Sequence, residues 1–403
     1  MGLSPVPAHI LLYASWVLAL AWVWKALTVL RGMTLVPDLT RIDPGSLPAL
    51  PATAGPHITV IVPACNEADS IEATLRSLLA STGLHLEILA VNDRSTDATG
   101  ALMDQVAAEA QAAGGPHRLR AIHIDGLPPG WLGKTHAMAV AAAQAAAPWL
   151  LFTDGDVLFA PRALELGLRH AIQEKADHLV LGLTVLFHSF AEGAVFASFP
   201  VMGLWAIRLW KVADPRARDF FGAGGFNLIR RDVYKQVGGF EALRLEVIED
   251  ARLGWMVKRA GFAQRVALGP GLVRVRWLRG VFGLVRNLEK NGFAGVRFRV
   301  DVALLACLGL GVQILLPLAA LASGGWTTVA GLVTYAAIVL TYFGARRALV
   351  VPPWLGLFFA PAVAVLLFAC LRSMVLTLAR GGVEWRGTRY PLAELRRHAG
   401  SWR

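Results

Sequence analysis

Cysteine and charged residues are scarce in this chain of 403 residues. The three cysteines, Cys65, Cys307 and Cys370, are far apart and show no C-x-x-C spacing, which argues against a disulfide framework and against a zinc site. Charged residues make up 17% of the chain and hydrophobic residues 55%, a balance too apolar for an ordinary soluble protein. Apolar residues are plentiful along the whole sequence, so intrinsic disorder is excluded as well.

The formal net charge of +11 is confined to one part of the chain. Residues 200–299 hold 19 basic and 8 acidic side chains, whereas the rest of the chain holds 20 of each sign. Within that part, residues 251–299 hold 11 basic side chains and one acidic side chain, Glu289. A nucleic-acid-binding protein would spread its positive charge over a binding surface, so we expect no nucleic-acid partner.

Long apolar runs lie towards both ends of the chain. Residues 10–30 form a run of membrane-spanning length with no basic residue before it, so we interpret residues 1–35 as an uncleaved anchor rather than a signal peptide. Lys25 and Arg31 near its end place the following domain in the cytoplasm. Three further candidate spans follow at 301–322, 326–344 and 354–378.

The basic tail, residues 380–403, carries six Arg and two Glu, which predicts a cytoplasmic end. Three full crossings after residue 300 would put this tail on the opposite side from the middle domain. One candidate is therefore expected to be re-entrant or interfacial, and we choose 354–378, which Pro361 interrupts. Residues 300–379 would then combine transmembrane and re-entrant helices in a multi-pass protein of the cell (inner) membrane.

Residues 56–275 have the pattern of an α/β domain. Short apolar strands alternate with helical segments, which predicts a Rossmann-like, mostly parallel, doubly wound sheet. Ligands of such sheets bind at the carboxyl ends of the strands. The predicted strands are 57–62, 86–91, 119–124 and 149–153.

Polar residues follow three of these strands. They are Pro63, Asn66 and Glu67 after the first strand, Asn92 and Asp93 after the second, and Asp154 and Asp156 after the fourth. Two carboxylates flanking a glycine repel each other unless a cation is bound, and oxygen ligands on a tight turn suit Mg²⁺ or Mn²⁺. The alternative for Asp156 is that it caps the helix near Pro161.

A second acidic pair, Glu249 and Asp250, follows the segment Gly238-Gly239-Phe240 and precedes an amphipathic helix. Acidic residues favour a helix N-terminus, so one interpretation of the pair is capping. The other is a general base directed at an acceptor hydroxyl.

Taken together, these motifs resemble family 2 glycosyltransferases of the GT-A fold over about residues 57–300. The motifs, in family order and spacing, are Pro63-x-x-Asn66-Glu67, Asp93-x-Ser95-x-Asp97, Asp154-x-Asp156, Gly238-Gly239-Phe240 and Glu249-Asp250. Residues 128–134 (PPGWLGK) and the flanking apolar runs resemble a narrower group, which contains the ceramide glucosyltransferase-like and hopanoid-biosynthesis-associated glycosyltransferases.

The resemblance implies roles on the donor side. The segments Pro63–Glu67 and Asn92-Asp93 would hold the base and ribose of a nucleotide sugar, with Asp154 near the ribose. Asp154 and Asp156 would form the metal site, in which Asp156 coordinates the Mg²⁺ or Mn²⁺ that bridges the pyrophosphate. Lys134 would add positive charge at the phosphates, or it is simply a solvated lysine.

On the acceptor side, the resemblance makes Asp250, beside Glu249, the base that takes the proton of the attacking hydroxyl, with inversion in one step. Gly239 and the pair Arg276-Trp277 would line the acceptor site, where Trp offers a sugar-stacking face. The chain departs from the family in two places. Asn92 stands where the family usually has Asp, which weakens the inference to a uridine nucleotide. The (Gln/Arg)-x-x-Arg-Trp element is only partly present.

The basic segment is expected to be an interfacial helix over residues 276–299. At 100° per residue its cations share one side and its apolar residues the other, a pattern typical of a helix lying among anionic lipid head groups. The alternative is a core helix under the catalytic domain with a solvated basic face. The cations are Arg279, Arg286, Lys290 and Arg297, and the apolar residues are Val281, Leu284, Val285, Leu288 and Val296.

These features predict a metal-dependent inverting enzyme that moves one sugar from a nucleotide sugar, a UDP-hexose in the first instance, to a membrane lipid. Residues 385–390 are expected to fold back towards the nucleotide. The rival interpretations are a processive polysaccharide synthase and a catalytically silent membrane scaffold. The incomplete Arg-Trp element and the small number of spans argue against the first, and the presence of Asp156 and Asp250 argues against the second.

Overall fold

The computed structural model describes residues 5–53, 55–277 and 279–399. The chain forms two compact units, and each unit is made of three separate segments of the chain. Unit 1 contains the chain up to Leu35 together with Leu186–Arg208 and Trp277–Val383. Unit 2 contains Val36–Val185, Leu209–Arg276 and the chain from Glu384 onward.

The helices and strands of the described residues are numbered in chain order. The α-helices are α1 (Pro5–Gly32), α2 (Ile71–Leu79), α3 (Thr99–Ala113), α4 (Gly133–Ala143), α5 (Ala163–Gln173), α6 (Phe190–Gly203), α7 (Arg231–Gln236), α8 (Glu249–Arg259), α9 (Gly283–Gly295), α10 (Val300–Ser323), α11 (Gly325–Leu349), α12 (Phe359–Arg380) and α13 (Leu392–His398). The β-strands are β1 (Ile58–Ala64), β2 (Leu86–Asp93), β3 (Arg118–Ile124), β4 (Trp149–Phe152), β5 (Val157–Phe159), β6 (His178–Leu181), β7 (Thr184–Val185), β8 (Asn227–Arg230), β9 (Gln264–Ala267), β10 (Val273–Val275), β11 (Gly382–Trp385) and β12 (Thr388–Pro391).

Unit 2 is built on a seven-stranded sheet in the order β3-β2-β1-β4-β8-β6-β9. Neighbouring strands are parallel except β8, which runs antiparallel to both β4 and β6. Strand β1 is buried at every position, as expected for a central parallel strand covered on both faces. The four predicted strands and the mostly parallel α/β sheet are therefore confirmed, and Pro63 lies within β1 rather than after it.

Two helix starts in unit 2 lie close to acidic residues of the predicted motifs. Helix α3 begins at Thr99, two residues after Asp97, because the Asp97 carboxylate accepts hydrogen bonds from the Thr99 N–H at 3.0 Å and from its hydroxyl at 2.6 Å. Helix α5 begins at Ala163 with Arg162 at its N-cap, and Asp156 precedes strand β5. Asp156 therefore does not cap that helix, and the capping alternative is wrong.

Unit 1 contains the apolar helices. Four segments are long and apolar enough to span a membrane: Ala8–Leu35, Val300–Ser323, Gly325–Leu349 and Pro353–Arg380. They match the predicted anchor and the three later candidates. Helix α12 is continuous from Phe359 to Arg380, because Pro361 lies in its first turn, where a missing N–H breaks no hydrogen bond. The expected interruption at Pro361 is therefore wrong.

Helix α9 is shorter than the interfacial helix predicted over residues 276–299. It spans Gly283–Gly295, so Arg286 and Lys290 lie on it, whereas Arg279 and Arg297 lie beyond its ends. Leu284, Val285 and Leu288 are buried, as expected for its apolar side.

Within unit 1, α9 packs against α12. The Ser373 hydroxyl accepts a hydrogen bond from the Phe293 N–H at 2.9 Å, and Glu289 forms ion pairs with Arg372 at 2.5 Å and Arg380 at 2.9 Å. The apolar side of α9 is thus covered by protein, and its location at a membrane interface stays a prediction.

A buried histidine joins three strands of the unit 2 sheet. His178 on β6 lies 3.0 Å from Asn227 Oδ1 through its Nε2 and 2.8 Å from Gln264 Nε2 through its Nδ1. Because the Gln264 amide nitrogen can only donate, Nδ1 must accept, and the proton sits on Nε2. Burial lowers the pKa of His178 to about 4, and the hydrogen bond to Asn227 offsets only part of that effect.

This histidine predicts a pH dependence of stability. Between the ordinary pKa of 6.5 and about 4, the unfolded chain binds a proton that the folded chain excludes, so the free energy of unfolding falls as pH falls through this range. The size of the effect is about 3 kcal/mol. We expect the thermal midpoint of the His178→Gln variant to change less than that of the wild type between pH 6.5 and 4.5. Parallel curves for the two proteins would contradict this expectation.

Candidate active site

One lysine joins two carboxylates from different parts of unit 2. Lys134, the second residue of α4, places its Nζ 2.5 Å from Asp154 Oδ1 and 2.6 Å from Glu249 Oε1. Asp154 follows strand β4 and Glu249 begins α8, so three elements meet at one ammonium group. Burial by itself would lower the pKa of Lys134, but the carboxylates of Asp154, Glu249 and Asp250 raise it above its ordinary value. Lys134 is therefore a charged part of the site, and the solvated-lysine alternative is wrong.

Two further carboxyl groups in the site have raised pKa values. Burial, strengthened by Glu249, raises the pKa of Asp250 to about 7, although Lys134 acts in the opposite direction. Burial, together with Asp154 and Glu67, likewise raises the pKa of Asp156 to about 7. The site thus contains acids whose protonation changes near physiological pH, a property common to catalytic groups.

The loops after β1 and β2 are joined by hydrogen bonds. The Asn66 side-chain oxygen accepts from the Thr96 N–H at 2.8 Å, and the Ser95 hydroxyl accepts from the Asn66 N–H at 3.0 Å. Glu67 donates its backbone N–H to the Thr99 hydroxyl at 2.8 Å. Asn66 has a φ of +55°, a left-handed conformation that Asn tolerates better than most residues. The sheet therefore brings the predicted residues Asn66 and Glu67 beside the second loop.

The amide of Asn92, near the end of strand β2, forms hydrogen bonds within the protein. Its oxygen accepts from the Ser95 N–H at 3.2 Å, and its nitrogen lies 3.1 Å from His123 Nδ1. Because His123 Nε2 faces the Asp104 carboxylate at 3.0 Å, that ring nitrogen carries the proton and Nδ1 accepts from Asn92. An ionised Asp could not donate this hydrogen bond, which gives a local reason for the departure from the family. The predicted contact of Asn92 with a base stays a prediction.

The neighbouring carboxylate, Asp93, is buried and paired with Arg94. Arg94 donates from Nε to Asp93 Oδ1 at 2.8 Å and from Nη2 to Oδ2 at 3.1 Å. The close approach of Gly133 to this pair requires a glycine, since a Cβ there would lie 2.2 Å from Asp93 Oδ2. The second loop is therefore fixed against the start of α4.

The C-terminal tail reaches these same loops, all within unit 2. Strands β11 and β12 pair as a hairpin. Arg386 in its turn forms an ion pair with Glu67, and the Thr388 hydroxyl accepts from Arg94 Nη1 at 3.4 Å. The Tyr390 hydroxyl accepts from the Gly133 N–H at 3.3 Å. The predicted fold-back of residues 385–390 is confirmed, while their approach to a nucleotide stays a prediction.

A glycine-rich segment before β8 was not found from the sequence. A Cβ on Gly222 would lie 2.0 Å from the Asp250 carbonyl oxygen, and a Cβ on Gly224 would lie 2.5 Å from Asp154 Oδ2. Residues 222–225 therefore pass between the two acidic motifs. The sequence signal was present, as the run FFGAGGFN over 220–227, but it carries no charged or nucleophilic side chain.

The predicted acceptor residues are not brought together in one described cluster. Gly239, with a φ of +53°, lies over the ring of Tyr234, where a Cβ would approach within 2.7 Å, so its identity has a packing reason. Arg276 is exposed after β10 in unit 2. Trp277 belongs to unit 1, where its ring lies 5.5 Å from that of Phe199. Their acceptor roles stay predictions.

The metal site rests on two carboxylates. Within residues 5–53, 55–277 and 279–399, no group of three or more His, Cys, Asp or Glu side chains is arranged to hold a metal ion. Asp154 and Asp156 nevertheless suit Mg²⁺ or Mn²⁺, which commonly takes one or two carboxylates and completes its shell with phosphate oxygens and water. These two carboxylate ligands therefore fit a metal ion that binds together with a pyrophosphate.

Residues 59–238 match the model of the family described as "Glycosyl transferase family 2". This chain carries a family 2 glycosyltransferase domain. The match lies within unit 2 for most of its length and includes the loops after β1, β2 and β4. It ends before the acidic pair at α8. No curated protein matches the chain by sequence.

The chain is also similar to solved structures. The mannosyltransferase PcManGT from Pyrobaculum calidifontis, in complex with GDP-Man and Mn²⁺, is 17% identical with a TM-score of 0.52, covering 90% of this chain and 99% of its own. Glucosyl-3-phosphoglycerate synthase from Mycobacterium tuberculosis is 21% identical, covering 54% of this chain and 71% of its own, with a TM-score of 0.33. Mannosyl-3-phosphoglycerate synthase from Rubrobacter xylanophilus is 17% identical, covering 64% and 80%, with a TM-score of 0.38.

The first of these structures shares its fold with nearly the whole chain. The predicted GT-A fold and the predicted enzyme class, a glycosyltransferase, are confirmed. The narrower resemblance to ceramide glucosyltransferase-like and hopanoid-associated enzymes stays a prediction.

The glycine-rich segment of the glycosyltransferase domain gives a test by matched substitutions. Gly222→Ala would place a methyl group against backbone atoms of Asp250 and Ala251, so we expect a clear loss of thermal stability, by about 1–3 kcal/mol. In Gly224→Ala the atoms nearest the new methyl group are those of the Asp154 carboxylate, which can rotate, so we expect near-normal stability and a large loss of transferase activity. Ala223→Gly is the control. Equal effects of Gly222→Ala and Gly224→Ala on stability would contradict the assignment.

Proposed function

We propose that this protein is a metal-dependent inverting glycosyltransferase that moves a single sugar from a nucleotide sugar to a hydroxyl group of a membrane lipid. The observation that carries the proposal is the ammonium group of Lys134, which links Asp154 of the donor motif to Glu249 of the acceptor motif. Residues assigned to donor and acceptor thereby share one site in the domain. A catalytically silent protein would have no need to keep Asp250 buried beside this pair.

The reaction follows from the positions of these groups. Asp250 accepts the proton of the acceptor hydroxyl while that oxygen forms a bond to the anomeric carbon. The bond from the anomeric carbon to the diphosphate oxygen breaks, and the electron pair leaves with the nucleoside diphosphate. Because attack and departure occur on opposite sides of the carbon, the configuration inverts. A base with a pKa of about 7 is well matched to this proton transfer.

Asp154 and Asp156 would hold the metal ion. A bound Mg²⁺ or Mn²⁺ supplies positive charge that stabilises the departing diphosphate. Lys134, already beside Asp154, adds a second positive charge on the same side of the site. The presence of Mn²⁺ with GDP-Man in the similar mannosyltransferase structure supports this proposal.

The donor is a hexose nucleotide, and we propose a UDP-hexose as the first candidate. The loops containing Asn66, Glu67, Asn92 and Asp93 form its binding region. Since the Asn92 amide is engaged with His123 and Ser95, the choice of base depends on other groups of these loops. GDP-hexoses are therefore included in the test below.

The lipid acceptor is supported by the apolar helices of unit 1. Aromatic rings typical of a membrane–water interface cluster there: Phe190 stacks on Trp354 at 5.2 Å and meets the edge of Phe358 at 4.8 Å. The basic residues 251–299 lead directly into α10 and would favour anionic head groups. A membrane protein with its active domain on one side has ready access to a lipid hydroxyl.

The division into units supports an even number of crossings after the catalytic domain. The chain leaves unit 2 after Arg276 and returns to it at Glu384, so with unit 2 on the cytoplasmic side it would cross the membrane an even number of times between these residues. We propose that α10 and α11 cross, that α12 lies along or within one leaflet, and that the catalytic domain and tail are both cytoplasmic, at the inner membrane.

The base assignment predicts the effect of one substitution. Membranes containing the protein are incubated with labelled UDP- and GDP-hexoses, Mg²⁺ or Mn²⁺, and a total lipid extract. We expect label in an organic-soluble product, and a loss of at least about 100-fold in Asp250→Asn. Asp232→Asn, an exposed carboxylate that pairs with Arg230, is the control. Undiminished transfer by Asp250→Asn would refute the base assignment, and label only in a long water-soluble polymer would indicate a polysaccharide synthase.

The topology predicts a labelling pattern for single cysteines in a cysteine-free chain. Ser323→Cys lies at the end of α10, Gln111→Cys in α3 and Arg397→Cys in α13, and all three positions are exposed. We expect a membrane-impermeant thiol reagent to label Ser323→Cys in intact cells. We expect it to label Gln111→Cys and Arg397→Cys only after permeabilisation. Labelling of Arg397→Cys in intact cells would show that α12 crosses the membrane.

A further inference from the structure

The turn of the C-terminal hairpin has an unusual residue. Arg386 and Gly387 connect β11 and β12 with φ angles of +50° and +76°. Glycine and asparagine adopt such left-handed conformations readily, whereas a long side chain such as arginine does so at a cost. The arginine therefore has a reason other than forming the turn.

That reason lies in the loop after β1. The Arg386 guanidinium pairs with the carboxylate of Glu67, and the two side chains are 37% and 24% exposed. Glu67 in turn donates its backbone N–H to Thr99 at the start of α3. The turn of the hairpin thus contacts the loop region to which the proposed function assigns the nucleotide.

A second contact supports the start of α4. Leu132, at the N-cap of α4, provides no side-chain hydrogen bond, so the first N–H groups of the helix need other partners. The buried Tyr390 hydroxyl accepts from the N–H of Gly133. The next residue is Lys134, whose ammonium group bridges Asp154 and Glu249. Tyr390 therefore anchors the end of the helix that positions this lysine.

A third contact reaches the loop after β2. The Thr388 hydroxyl accepts from Arg94, and the same guanidinium holds both oxygens of Asp93. Arg386, Thr388 and Tyr390 are successive alternate residues of one short hairpin, and they contact the loop after β1, the loop after β2 and the start of α4 in turn.

We propose that the hairpin formed by β11 and β12 is a donor strap, a segment that holds the loops after β1 and β2 and the start of α4 in their binding arrangement, with Arg386 and Tyr390 as positioning residues. The proposal rests on the proposed function for the identity of the ligand, a nucleoside diphosphate. Neither residue takes part in the chemical step. The affinity of the donor site then depends on the part of the chain that follows the last apolar helix.

The first test uses the full-length protein without ligand and needs no enzymatic activity. Tyr390→Phe removes the acceptor for Gly133, and Arg386→Asn removes the ion pair while providing a residue better suited to the turn. We expect faster amide hydrogen exchange at the start of α4 in Tyr390→Phe and in residues 66–69 in Arg386→Asn. Arg397→Ala removes an equal charge from an exposed site of the same tail and should leave both regions unchanged.

The second test measures binding of UDP and of GDP, each with Mn²⁺, and then the KM for the donor. Loss of one hydrogen bond or one partly covered ion pair is expected to raise the Kd and the donor KM by about two- to tenfold with kcat nearly unchanged. Arg386→Lys should recover part of the affinity, because it restores the charge. A purely structural role would lower the thermal midpoint and the amount of active protein without this division between KM and kcat.

The two proposals fail in different ways. If the wild type binds neither nucleotide and transfers no sugar, the proposed function fails, while the exchange measurement still tests the strap. If the wild type is active and neither variant changes exchange or donor KM, the strap is refuted.

Discussion

The site depends on the position of one ammonium group. Lys134 lies between carboxylates delivered by the end of β4 and the start of α8, and without it these acids would repel one another in a partly buried space. Several other features of unit 2 help to hold Lys134 in this position. Gly133 lets α4 begin against Asp93, Gly224 lets the segment before β8 pass Asp154, and Tyr390 satisfies the helix end next to the lysine. These constraints act on small residues and backbone groups, so they leave little trace in composition or charge.

The sequence predicted what is encoded locally. β-Branched runs predicted the central strands, and polar residues at their ends indicated Asn66, Asp93 and Asp154, because a parallel sheet brings such ends to one edge. The link from Lys134 to Glu249 could not be predicted, since the two residues are more than a hundred positions apart and their contact depends on tertiary packing. The glycines of residues 222–225 were missed for a related reason. Their role is to leave space, and the neighbours that need that space are distant in sequence.

The membrane region shows where periodicity alone misleads. A stripe of four cations at 100° per residue assumes one unbroken helix, but α9 starts at Gly283 and ends at Gly295, and Arg297 adopts a φ of +56° just beyond it. Of the predicted apolar residues, Leu284, Val285 and Leu288 are buried, whereas Val281 and Val296 lie beyond the ends of α9, which packs against α12. Pro361 was predicted to interrupt the helix, but a proline in the first turn breaks no backbone hydrogen bond, and Pro361 lies in the first turn of α12. For α9 and for Pro361 alike, the error lay in the predicted helix boundary.

The charges of the site suit the binding of a divalent cation together with a diphosphate. One lysine faces four acids, Asp154, Asp156, Glu249 and Asp250, so full ionisation of all four would leave a large negative excess in a poorly solvated space. The protein resolves this excess in the absence of ligand by raising the pKa values of Asp156 and Asp250. A divalent cation would remove the same excess by a different route, because it would favour the ionised form of these carboxylates. Under the proposed function, a diphosphate would then bind beside the cation and Lys134 without facing uncompensated acids, so metal and nucleotide would each favour the binding of the other.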